Sequence, residues 1–185
     1  GPTGHVTAFE PNPDCCRRII EVVESNALAH VDVRACALGD EPGRLELTVP
    51  RVHTGYATLA RVEETEEWSG YDRVAVEVQR GDDVLPVANR VDVIKVDVEG
   101  FESHVARGLR QTLSTHRPLL VTEVAEQLLR QAGSSGEELF SLLRGHGYAA
   151  FIMHVARPGR LSRPRLSLRA VDDPSKIDAL ENNVA

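Results

Sequence analysis

The chain is 185 residues long, 42% hydrophobic and 26% charged, with a formal net charge of −7; these values suit one globular domain with its own core and exclude a nucleic-acid binder, which needs a basic face. No apolar run approaches the ~20 residues of a membrane span, no signal peptide opens the chain, and no internal repeat or low-complexity tract occurs. Cys15, Cys16 and Cys36 lack a metal-ligand spacing, and adjacent cysteines make a poor disulfide, so a reduced, cytoplasmic setting is expected.

After a turn over residues 1–4, His5-Val6-Thr7-Ala8-Phe9 reads as a short strand. Glu10-Pro11-Asn12-Pro13 stops it, because proline cannot continue a ladder. Asp14 is the expected cap of a helix with Cys16, Ile19, Ile20 and Val23 on its apolar face, ending at Asn26. Residues 31–37 predict the next strand, closing in Leu38-Gly39-Asp40. Strand, helix, strand in this rhythm predicts a βαβ unit and a parallel sheet. Residues 44–49 and 73–78 alternate with period two, which predicts antiparallel strands with one solvated face. Between them, residues 50–70 form a long polar loop holding His53, Tyr56 and the single Trp68; a loop of that length is usually functional or mobile. Gly81-Asp82-Asp83 opens a turn before a short helical piece.

The central stretch is residues 91–98, rich in β-branched side chains, and it reads as a strand buried on both faces. It ends in Asp97 and Glu99 beside Gly100, and a helical pattern follows over residues 101–113. In open α/β sheets ligands sit outside the carboxyl ends of the strands. Acids there are costly unless they serve a ligand, a proton or a cation. The competing explanation is a helix N-terminus decorated with acids to complement its dipole, and it applies above all to Glu102. Residues 119–124 repeat the pattern, with Glu123 at the strand end. Residues 137–144 predict an amphipathic helix stopped by Gly145-His146-Gly147. A strand over 148–155, a basic loop over 157–165, a weak helix over 172–180 and a possible strand start at 182–185 complete the chain.

Taken together, these motifs resemble the FkbM-type methyltransferases, which use S-adenosylmethionine. Val6-Thr7-Ala8-Phe9-Glu10-Pro11-Asn12-Pro13 is similar to the family's second-strand motif, and Ala37-Leu38-Gly39-Asp40 to its third. The most specific match is Asp92-Val93-Ile94-Lys95-Val96-Asp97-Val98-Glu99-Gly100-Phe101-Glu102. Residues 118–123 resemble the fifth strand, and His53-Thr54-Gly55-Tyr56-Ala57-Thr58-Leu59 the family's inserted segment. The resemblance implies a Rossmann-like class I methyltransferase sheet, mostly parallel, with an inserted antiparallel hairpin. It implies one methyltransferase-like domain over residues 1–185, N-terminally incomplete, because the family's first strand and its glycine-rich loop have no counterpart here.

The implied reaction moves a methyl group from S-adenosyl-L-methionine to a hydroxyl of a sugar or natural product. Glu10, with Pro11 and Asn12, is the expected ribose clamp, and Ala37, Leu38 and Asp97 the further cofactor contacts. Asp97, Glu99, Glu123 and His53 are the expected catalytic residues, His53 as a base in the long loop. Three converging acids could also hold a hard divalent cation, but without a histidine in the same motifs no metal is assigned. His104 is expected to be a surface or satisfied helix residue, and Tyr56 and Trp68 either line an acceptor pocket or pack. Two other classes remain open: a non-catalytic methyltransferase-like binding module, and a nicotinamide-dependent oxidoreductase, against which the missing glycine fingerprint counts.

Overall fold

A computed structural model describes residues 4–51, 56–60, 70–85, 90–156 and 165–171. β1 (Val6–Phe9) ends where the prolines begin, and α1 (Pro13–Ser25) carries Pro13 in its first turn, where a missing N–H costs nothing. The cap is Asn12 rather than Asp14: its side-chain oxygen accepts from the Asp14 N–H at 3.0 Å. Asp14 sits in the first turn, where a carboxylate meets the positive end of the helix dipole. β2 (Val31–Arg34) runs parallel to β1 in the register Val6↔Val31 to Phe9↔Arg34, completing the expected βαβ unit.

The single strand expected over residues 31–37 is two strands. The Cys36 N–H bonds back to the Arg34 carbonyl at 3.0 Å, and the chain turns there. β3 (Ala37–Gly39) leaves for another partner, pairing in parallel with β5 (Tyr71–Arg80). β4 (Gly43–Pro50) pairs antiparallel with β5, as the period-two alternation predicts, and buries Leu47, Val49 and Val76. The turn expected at Gly81 is itself a helical turn, α2 (Gly81–Val84).

β6 (Val93–Val96) pairs in parallel with β7 (Leu119–Thr122). The expectation of burial on both faces fails for β6: Val96 is buried, while Val93 is 59% exposed. Burial alternates along the strand: Ile94 and Val96 face the main core, while Val93 and Lys95 lie on the opposite, exposed face. The helix expected over 101–113 is broken into α3 (Glu102–Gly108) and α4 (Arg110–His116). α4 has its own start: Asp82 of α2 accepts from the N–H groups of Gln111 and Thr112 at 2.8 and 2.9 Å. α5 (Glu126–Gln131) and α6 (Gly136–Gly145) follow, the latter capped by Ser135. β8 (Phe151–Ala156) and β9 (Arg165–Ala170) form an antiparallel ribbon. Arg165 therefore opens a strand instead of closing a loop. The expectations for residues 157–164 and 172–185 lie outside the described residues.

The main core joins Val96 of β6 to Val105 and Ala106 of α3, Leu109, Leu113 of α4, and Leu139 and Leu143 of α6. Each fully buried leucine contributes about 1.5–3 kcal/mol. The strands are mixed parallel and antiparallel, as a mostly parallel sheet with an inserted antiparallel hairpin predicts. Among the described residues they form two parallel pairs, β1–β2 and β6–β7, a mixed sheet in the order β3–β5–β4, and the ribbon.

Candidate functional site

The parallel pairing of β6 with β7 brings the acids after both strands to one end. The Glu123 N–H reaches the Val96 carbonyl at 3.3 Å, so Glu123 stands beside the start of the Asp97 turn. Asp97 follows β6 directly, two residues after Lys95, and the Lys95 ammonium meets Asp97 Oδ2 at 2.5 Å. Glu99 is half-buried. Burial raises its carboxyl above the ordinary range, and the neighbouring charges of Glu123, Asp97 and Glu102 raise it further. The structure thus brings Asp97, Glu99 and Glu123 together, with Glu102 as a fourth acid.

The turn that carries Glu99 is held from three sides. Glu99 has φ +50° and Gly100 φ +101°, conformations that a non-glycine residue adopts only at a cost. Gly100 must be glycine, because a Cβ there would stand 2.6 Å from the backbone of Leu128 in α5. Glu102 Oε1 accepts from the Gly100 N–H at 3.1 Å. The Thr58 hydroxyl donates to the Glu99 carbonyl at 2.5 Å. Sequence reasoning missed Thr58, placing it in a polar loop; in fact it is fully buried and bridges to Thr48 of β4.

Glu102 departs from a simple dipole decoration. It opens α3, yet it is 4% exposed and its Oε2 has no hydrogen-bond partner among the described residues. It borders a cavity of about 10 Å³ whose other walls include Val96, Leu109, Leu113 and Leu120. Burial raises its carboxyl, against hydrogen bonds from backbone N–H groups that pull the other way.

A second group lies at the end of β1. Glu10 is half-buried, and burial raises its carboxyl, while the Asn12 N–H at 2.7 Å opposes the rise. That bond uses one lone pair of one oxygen and leaves the other oxygen available to accept. Asn12 is buried, and its Nδ2 is a donor without a partner among the described residues. Pro11 beside it is half-buried. No hydrogen bond or ion pair among the described residues joins Glu10 to the acids after β6.

Ala37 is buried, and Leu38 packs against the main core. Asp40, just beyond them, is tied to α3. His104 sets Nδ1 3.0 Å from Asp40 Oδ1 and Nε2 3.1 Å from the Ala132 carbonyl. Arg107 donates to Asp40 at 3.0 Å and to Glu138 of α6 at 2.7 Å. Burial pushes the Asp40 carboxyl up, but these hydrogen bonds outweigh it and hold the group below its ordinary range. His104 is the satisfied helix residue expected, also stacked on Phe101 at 4.1 Å. Tyr56 is exposed; His53 and Trp68 lie outside the described residues. Among the described residues no three His, Cys, Asp or Glu side chains converge in a metal-binding arrangement.

These features define a class: an α/β protein with mixed parallel and antiparallel sheets whose candidate site lies at strand carboxyl ends. Comparison with known proteins supplies the family. Residues 1–150 match the model of the methyltransferase FkbM domain, and the chain belongs to that family. It is 32% identical to Methyltransferase 1 of Beauveria bassiana, the match covering 58% of this chain and 50% of that protein. It is also 32% identical to Methyltransferase sdnD of Sordaria araneosa, over 58% of this chain and 52% of the relative. The chain therefore spans about half the length of these relatives. The crystal structure of methyltransferase FkbM from Methylobacillus flagellatus KT has a similar fold, with a TM-score of 0.55 and 18% identity over 89% of this chain and 36% of that one.

Proposed function

We propose that the protein uses S-adenosyl-L-methionine to methylate a hydroxyl of a small acceptor, a sugar or natural product, within a Rossmann-like domain that takes in all of residues 1–185. The observation that carries the reading is Glu99: an acid in a costly backbone conformation, among other acids, in a chain of a methyltransferase family. The residues present fit the cofactor in chemistry. Glu10 offers a free carboxylate oxygen, and the buried Asn12 Nδ2 is a donor in want of an acceptor. Pro11, Ala37, Leu38 and Asp97 complete the proposed contact set. When bound, the cofactor supplies an electrophilic methyl group on a sulfonium.

The protein's own contribution is alignment and proton removal. Holding the acceptor oxygen in line with the methyl carbon converts an encounter into a near-attack geometry. Glu99, with its carboxyl raised, is the proposed base for the hydroxyl proton, since a base with a pKa closer to working pH accepts a proton more readily. Asp97, paired with Lys95, is proposed to orient the acceptor or the methionine end, with Glu123 beside it. His53 is a second proposed base. The three free cysteines and the absence of a described helix long and apolar enough to cross a membrane fit a cytoplasmic setting.

Isothermal titration with S-adenosylhomocysteine tests the reading. Glu10→Gln is expected to weaken binding by about 1.5–3 kcal/mol, the worth of a hydrogen bond to a charged group. Asp97→Asn is expected to abolish most turnover with little change in melting temperature. Unchanged affinity in a folded Glu10→Gln protein would remove Glu10 from the site.

A further inference from the structure

We infer that Thr58 is a positioning residue that fixes the backbone of Glu99 and so aims its carboxylate. This rests on the reading of Glu99 as the base. Thr58 is itself immobilised: its N–H and carbonyl pair both ways with Thr48 of β4, at 3.0 and 2.9 Å. Its hydroxyl has one proton and acceptor lone pairs, and both functions are used. It donates to the Glu99 carbonyl at 2.5 Å and accepts from the Ala60 N–H at 3.0 Å. Thr58 and Ala60 are buried, so water cannot replace either bond. The segment between β4 and β5 thereby fastens the turn after β6, 41 residues away in sequence.

The fastening has a purpose because the turn opposes its own residue. A left-handed backbone favours glycine or asparagine, and position 99 carries glutamate. Its neighbours Asp97, Glu102 and Glu123 repel its charge. A relaxed turn would let the side chain swing toward water and away from them. The Thr58 hydroxyl, the Glu102 carboxylate and the Leu128 backbone close that route.

The test compares Thr58→Val, which keeps the shape and removes the hydroxyl, with Thr58→Ser, which keeps the hydroxyl. The readout is the 13C titration of the Glu99 carboxyl in glutamate-labelled protein, assigned with Glu99→Gln. Thr58→Val is expected to lower the Glu99 midpoint toward the ordinary glutamate value of 4.5, and Thr58→Ser to leave it raised. An unmoved midpoint in folded Thr58→Val protein overturns the inference. If Thr58→Val does not fold, Glu99→Gly is added, since glycine takes the left-handed turn freely. Rescue of folding supports the clamp, and failure to rescue makes Thr58 a core residue and overturns it. The titration needs no cofactor, so it can fail while S-adenosylhomocysteine still binds, and succeed where the nucleoside does not.

Discussion

A buried carboxylate without a full set of partners is a cost that the fold carries for some other reason. Glu102 is that residue: buried, one oxygen bonded to Gly100, the other without a partner among the described residues. Its folded pKa is raised above the ordinary 4.5. Between the unfolded and folded values the native state binds more protons than the unfolded one, so stability falls as pH rises through that window. Glu102→Gln does not titrate and keeps the bond to Gly100. The variant is expected to melt higher than the parent at about pH 7 and to converge with it below about pH 4. Thermal melts across that range check this; a variant less stable at neutral pH would mean that the charge of Glu102 stabilises the turn. Asp40 has the opposite sign. Its lowered carboxyl contributes stability above its ordinary range, lost as pH falls through the folded value.

The junction of β3 with α3 is a close backbone approach. A Cβ at Gly108 would stand 1.9 Å from the Gly39 carbonyl oxygen, a backbone atom that cannot move aside. This contact sets the height of α3 on β3, and with it the reach of His104 and Arg107 to Asp40. Gly108→Ala is expected to destabilise by about 3 kcal/mol, at the upper end for overpacking, although alanine is the better helix former. Urea denaturation measures it. A neutral or stabilising result would show that α3 can slide, and the Asp40 network would then be adjustable. The helix break at Leu109 belongs to the same scale: Asp82 supplies α4 with an N-terminal cap from another element.

At the scale of the whole molecule, β1 and β6 each have a ladder on one side only among the described residues. Both edges show apolar residues to water, Val6 at 51% and Val93 at 59%. The β8–β9 ribbon adds an apolar face, pairing Met153 with Leu168 and Val155 with Leu166, all exposed. Unpaired edges and apolar patches of this kind drive association. The 185-residue chain is expected to self-associate in sedimentation. A monodisperse 185-residue chain would show that these edges are covered some other way.

Periodicity and punctuation made the local elements legible. Pro11 and Pro13 end β1, the period-two runs become β4 and β5, and Gly145-His146-Gly147 closes α6. These signals are local, arising from backbone sterics and from one buried face per element, so a single sequence carries them. The acids at the strand ends were legible for the same reason, as charges that interrupt an apolar pattern. What tertiary structure decided is every feature set by a partner distant in sequence. The split of residues 31–37 into β2 and β3 follows from the pairing of β3 with β5. The break at Leu109 accompanies the cap supplied by Asp82, and the exposure of Val93 follows from the packing of helices on the Ile94 and Val96 face alone. Thr58 left no mark in the sequence, because a threonine in a polar loop looks the same whether its hydroxyl meets water or a carbonyl 41 residues away. Only packing removes the water, and only then does that hydroxyl hold Glu99 in place.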